Sequence, residues 1–195
     1  MKIAKLFTGL IIGALLMSEA QAAETILLDT KDGQIVIELL TEKAPNHAAR
    51  IKQLTEEGFY DGIVFHRVID GFMAQTGDPT GTGSGGSKLG DLKAEFNDES
   101  HKRGVVSMAR SGDPDSANSQ FFIVLEDSPF LDRQYTAFGK VVSGMEFVDK
   151  IKKGDKTRNG SVRNPDKIVK MSVKSESVAK SDAEIAPATP AKAAK

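Results

Sequence analysis

The chain is 195 residues long, with 26 basic and 27 acidic side chains, no cysteine and no tryptophan. A formal charge of −1 excludes a strongly basic nucleic-acid reader. The lack of cysteine excludes disulfide frameworks, thiolate metal sites, iron–sulfur ligation and a thiol nucleophile.

Residues 1–22 read as a cleavable signal peptide. Lys2 and Lys5 form a short positive region, residues 6–17 are almost wholly apolar, and Ala20-Gln21-Ala22 supplies the small residues of a cleavage site. The apolar run is shorter than the roughly 20 residues that span a bilayer. Cleavage after Ala22 is expected to leave a periplasmic chain beginning Ala23-Glu24, with no stable membrane insertion.

Strand signals dominate the chain beyond the leader. Residues 25–30 and 34–40 are β-rich runs around Lys31-Asp32-Gly33, and Asp-Gly is a strong hairpin signal. Residues 44–57 read as a helix: Pro45 suits its first turn, and Ala48, Ile51 and Leu54 recur on one face. Further strands are predicted at 63–69, 72–76, 104–109, 120–125, 137–142 and 167–173, with a second helix at 145–152. About eight short strands and two helices predict a mainly β fold, a closed eight-stranded antiparallel barrel capped by the helices. A sandwich with flanking helices is the alternative. From residue 174 the chain is rich in Ala, Lys, Ser and Pro, and too poor in apolar groups to pack. That predicts a disordered tail at 174–195 behind one domain at 23–173, acting as a monomer.

Most chemical motifs are absent or weak. Gly81-Thr82-Gly83-Ser84-Gly85-Gly86 fits G-x-G-x-x-G, but Asp78-Pro79 precedes it and more loop comes after, so a flexible loop is the better reading. His47, His66 and His101 are too dispersed for metal spacing, and His66 reads as a satisfied structural histidine within a strand. Asn159-Gly160-Ser161 fits a glycosylation sequon, but Asn-Gly is more simply a turn. No Ser–His–Asp arrangement stands out, and no metal or cofactor is expected.

Two segments do stand out: Phe65-His66-Arg67-Val68-Ile69-Asp70-Gly71-Phe72-Met73-Ala74-Gln75, and later Ser119-Gln120-Phe121-Phe122-Ile123. Strand alternation puts Arg67 on one face with Phe65 and Ile69, and Gln120 with Phe122. An arginine among large apolar groups needs a partner, which is either a ligand or water at a barrel rim.

These segments, with Ser107-Met108-Ala109-Arg110, Phe130-Leu131-Asp132 and Phe138-Gly139-Lys140-Val141 in the same order, resemble a cyclophilin. With the leader, the chain is most similar to the exported bacterial members of that peptidyl-prolyl cis–trans isomerase family. The resemblance implies Arg67, Phe72, Gln75 and Phe122 as catalytic residues. It implies peptide contacts from Met73, Gly83, Ala109, Arg110, Gln120, Phe130, Leu131 and Tyr135. It also implies proline-containing or unfolded exported polypeptides as partners. Arg110, Phe130 and Tyr135 stand where many eukaryotic members have asparagine, tryptophan and histidine, bacterial-type variations under which activity is expected to persist, and Phe130 in place of tryptophan implies weak cyclosporin binding. Asp70 replaces a usual proline in a turn.

The chemistry suits such residues. Rotation about an X–Pro amide breaks no bond; it faces a barrier of about 18–20 kcal/mol from C–N double-bond character. An apolar cup can hold the ring, and a fixed donor can hydrogen-bond the prolyl nitrogen once conjugation weakens. The rival expectation is a proline-peptide binding module or holdase with little turnover.

Overall fold

The computed structural model describes residues 24–174. The predicted leader at 1–22 and all but the first residue of the predicted tail lie outside the described residues. Eight strands form one antiparallel sheet: β1 (Thr25–Thr30), β2 (Gly33–Leu39), β3 (Arg67–Ile69), β4 (Met73–Thr76), β5 (Val105–Met108), β6 (Phe121–Val124), β7 (Ala137–Ser143) and β8 (Lys170–Val173). Two α-helices accompany them, α1 (Pro45–Glu56) and α2 (Met145–Lys150). Spatial order in the sheet is β3-β4-β6-β5-β7-β2-β1-β8.

The expected closed barrel is corrected here: β3 and β8 are the two edges of a curled, open sheet. The expected strand at 63–69 shrinks to three residues because its first half leaves the ladder. Ile63 O accepts from Ile168 N and Phe65 N donates to Asp166 O, both at 2.9 Å. With the isolated bridge between Val64 and Lys167, these loop contacts join the curl where strands would otherwise pair.

Both helices start without a side-chain cap of their own. For α1 the missing acceptor comes from far along the chain. The Glu95 carboxylate accepts the backbone N–H groups of Asn46 and His47 at 3.1 Å each, and pairs with His47 Nδ1 at 2.6 Å. A carboxylate there satisfies orphan donors and complements the helix dipole. Ahead of α2, Gly144 has φ +85, and a Cβ there would lie 2.3 Å from Gln34 O. Only glycine lets the chain turn so close to β2.

The main core fills one face of the sheet. Ile26, Leu28, Ile35, Ile37, Val106, Phe121, Ile123 and Phe138 pack with Ala48, Ile51 and Leu54 of α1. Tyr60 is wholly buried among them, edge-on to Phe121 at 5.5 Å, and donates to Ser119 O at 3.1 Å. Burial pushes its hydroxyl pKa well up.

Candidate active site

Four consecutive strand residues, Phe121–Val124, are all buried, so both faces of β6 are covered. Period-two alternation sends Phe121 and Ile123 into the main core and Phe122 and Val124 to the opposite face. There a second cluster forms from Met73, Val105, Phe122, Val124, Leu131 and Ala137. Ile69, Phe72, Ala109 and Tyr135 pack around it. This second face carries a cleft of about 740 Å³.

Arg67 occupies one wall of the cleft. It pairs with Gln75 across the β3–β4 ladder, and its Nη1 donates to Gln75 Oε1 at 3.0 Å. Its Nε donates to Asn159 O at 3.1 Å, and its Nη2 to Asn159 Oδ1 at 3.0 Å. All three acceptors are neutral. Partial burial holds the guanidinium pKa below its ordinary value. The Gln75 amide passes the chain on: its Nε2 donates to Gln120 Oε1 at 2.9 Å. Gln120 Nε2 in turn donates to Gly83 O at 3.1 Å and Gly85 O at 2.8 Å. One hydrogen-bonded line thus runs from the Asn159 turn through Arg67 to the glycine-rich loop.

Opposite this polar line lies an apolar cup. Met73, Phe122 and Leu131 are buried at its base, with 1%, 5% and 6% of their surface exposed. Phe72 and Phe130 lie tilted to each other at the mouth, with ring centroids 5.4 Å apart. Phe130 is 62% exposed at this mouth. Tyr135 stands edge-on to Phe122 at 5.8 Å, and the Arg110 guanidinium lies 4.6 Å from the Tyr135 ring centre. Arg110 is itself tied down, donating Nε and Nη2 to Gln134 O at 3.1 and 3.0 Å.

The surroundings hold these groups in place. Asp78 is buried and accepts from the backbone of Thr80, Thr82 and Gly83, at 2.7, 3.1 and 2.6 Å. Burial pushes its carboxyl up, but hydrogen bonds from Thr80, Gly85 and Gly83 outweigh that and bring its pKa down to about 2. Beneath the cup, His101 stacks on Phe122 at 6.3 Å. Its Nδ1 meets Asp132 Oδ1 at 3.0 Å and its Nε2 meets Ser107 Oγ at 3.1 Å. This is a Ser–His–Asp line that the sequence did not reveal. Ser107 is wholly buried, so no substrate reaches its hydroxyl and the line acts as a support.

Eleven of the twelve predicted site residues line the one cleft; Gln120 faces an adjoining groove that shares Gln75, Gly83, Ala109 and Arg110. Two expectations need correction. Phe65 does not share a face with Arg67; it lies in the main core, because regular alternation begins only at Arg67. His66 is not a strand histidine: it precedes β3, and its buried ring lies against the backbone of Val64. Burial pushes its pKa down. Asn159, Arg158 and Gln134 also line the cleft and were not expected there. The only signal was Asn159-Gly160, which marks a turn without saying what the turn touches.

Comparison with known proteins places the chain in a family. Residues 25–173 match the family described as cyclophilin type peptidyl-prolyl cis-trans isomerase/CLD. The chain is 52% identical over 182 residues to a probable peptidyl-prolyl cis-trans isomerase of Brucella suis, covering 87% of this chain and 93% of that one. Among solved structures it is similar to cyclophilin AquaCyp293 from Hirschia baltica, at 30% identity and a TM-score of 0.67. That match covers 75% of this chain and 72% of the other. It is also similar to a Cryptosporidium parvum cyclophilin-type isomerase, crystallised in the presence of the dipeptide Ala-Pro. There the identity is 29% and the TM-score 0.71, over 77% of this chain and 99% of that one. The chain belongs to the cyclophilin-type peptidyl-prolyl cis–trans isomerases, enzymes that act on proline-containing peptides.

Proposed function

We propose that the chain isomerises X–Pro bonds of exported polypeptides in the second-face cleft, with Arg67 as the catalytic donor. The observation that carries this reading is the guanidinium held by three neutral acceptors beside an apolar cup. Met73, Phe122 and Leu131 receive the proline ring, Phe72 and Phe130 cover it, and Gln75 and Gln120 align the polar wall. Ala109, Gly83, Arg110 and Tyr135 border the adjoining peptide.

As the amide twists, the prolyl nitrogen becomes pyramidal and its lone pair, no longer shared with the carbonyl, becomes available as an acceptor. An Arg67 N–H directed at that nitrogen binds the twisted state better than either planar isomer, and differential binding of that kind accelerates a reaction. An acceleration of 10⁴- to 10⁵-fold needs roughly 5–7 kcal/mol. A charged donor in a partly desolvated cleft, aided by a shape-selective cup, is of the right order. The uncatalysed step takes tens to hundreds of seconds, slow enough to delay folding.

The cellular setting rests on the charged, apolar and Ala20-Gln21-Ala22 segments at the N-terminus, which support export to a periplasm and removal of residues 1–22. The test combines two measurements. The mass of the protein recovered from the periplasm of an expressing bacterium should correspond to a start at Ala23; an intact Met1 would refute export. Refolding of a proline-limited secreted protein should speed up at substoichiometric enzyme. Acceleration only at stoichiometric amounts would favour a holdase instead.

A further inference from the structure

The Asn159-Gly160 turn lies 92 residues from Arg67 in sequence yet takes two of its N–H groups. The turn comes after a short 3₁₀ segment, Lys156–Arg158, and Asn159 itself adopts the left-handed conformation with φ 52 and ψ 37. Asp155 anchors the segment, accepting from Thr157 N at 2.8 Å and through its backbone carbonyl from Gly160 N at 2.9 Å. The turn is also sewn onto β3. Val68 N donates to Gly160 O at 2.8 Å, Gly154 N donates to Val68 O at 2.9 Å, and Arg67 pairs with Ser161. A Cβ on Gly160 would sit 2.4 Å from Ile69 Cγ1, so no larger residue allows this approach.

Such construction fixes where the Asn159 acceptors stand relative to β3. A guanidinium has five N–H groups in a rigid plane. Asn159 occupies one on Nε and one on Nη2, and Gln75 occupies one on Nη1. Two remain for a ligand. With Gln75 alone the plane would keep one anchor and could swing about it; with Asn159 it is held on two sides.

We propose that Asn159 is a positioning residue for the reaction, fixing the plane of Arg67 so that its free N–H groups meet the twisting prolyl nitrogen. This rests on the reading that Arg67 is the catalytic donor. Asn159 acts through its side-chain oxygen on Nη2 and its backbone carbonyl on Nε, and the left-handed turn is what lets one residue present both.

The test isolates the side chain. Asn159→Gly keeps the left-handed backbone and its carbonyl while removing the amide; Asn159→Asp keeps an oxygen at the same place. Misplacing a catalytic group costs rate far more than binding, so Asn159→Gly should lower kcat about tenfold with KM within about twofold. Asn159→Asp should recover most of that loss. In a double-mutant cycle, Asn159→Gly should do nothing further once Arg67 is alanine. A kcat for Asn159→Gly within twofold of the parent, or an additive cycle, would overturn the role of Asn159. If Arg67→Ala alone is fully active, the reading of Arg67 fails, whatever Asn159 does. Urea midpoints of all variants show whether each is folded at the assay concentration.

Discussion

Arg67 and Gln75 sit opposite each other on β3 and β4, and one hydrogen bond of 3.0 Å joins Nη1 to Oε1. The same Gln75 amide reaches Gln120, and Gln120 reaches the backbone of the glycine-rich loop. A side chain of one residue is therefore the hinge between the donor and the peptide-bordering loop.

Replacing Gln75 by leucine keeps the volume but removes both contacts. Turnover on an X–Pro peptide should fall about tenfold, since the donor loses an anchor while its charge remains. Stability should fall by about 2 kcal/mol, the usual net value of two lost hydrogen bonds near solvent. Parallel kinetic and urea measurements separate the two effects. A loss of activity matched by global unfolding would show that Gln75 serves only the fold.

Asp78 ties the same loop from beneath, and its carboxyl is held down to about 2. Its folded value lies below the unfolded one, so its contribution is complete above about pH 4 and is lost as pH falls through about 2. The depression corresponds to about 2 kcal/mol at neutral pH. Asp78→Asn should lower stability by that order at pH 7 and flatten the acid limb of the stability curve. Denaturant titrations between pH 2 and pH 7 check both; an unchanged acid limb would remove Asp78 from this role.

Two buried histidines set a further pH dependence. Burial lowers the pKa of His47, facing Glu95 and Arg50, and of His66, facing Asp78 and Arg67. Both are favoured neutral in the folded chain, while the unfolded chain takes up protons below about pH 6.5. Their contribution is present above that value and fades as pH falls toward the lowered folded values. The urea midpoint should drop between pH 7.5 and pH 5.5, and His66→Gln should shrink the drop. A midpoint that rises on acidification would contradict the assignment.

How far the sequence reveals this site depends on distance along the chain. The residues of the cup fall in three short segments, and in β6 the visible alternation holds: Phe121 goes to the core and Phe122 to the cleft. The hairpin strand Thr25–Thr30 and the helix starting at Pro45 are equally local and equally legible. The hidden features depend on partners far away. Neither Glu95 at the start of α1 nor Asn159 on Arg67 leaves any periodic signal. The first half of the expected strand at 63–69 departs from the ladder for the same reason, because its hydrogen bonds go to the segment around Ile168. Closure fails as an expectation because counting strands says nothing about whether the first and last will pair.

Whether the Arg67 guanidinium, and not merely the apolar cup, accelerates rotation can be read directly. Two-dimensional exchange NMR on an Ala-Pro peptide reports cis–trans interconversion at catalytic enzyme concentrations. The parent, Arg67→Lys and Arg67→Ala would be compared, each verified as folded, and rapid exchange is expected for the parent. Alanine should lose at least about 100-fold, with lysine also impaired because a point charge cannot reproduce the held plane. Exchange by Arg67→Ala as fast as by the parent would show that the cup alone suffices and that Arg67 is not the donor.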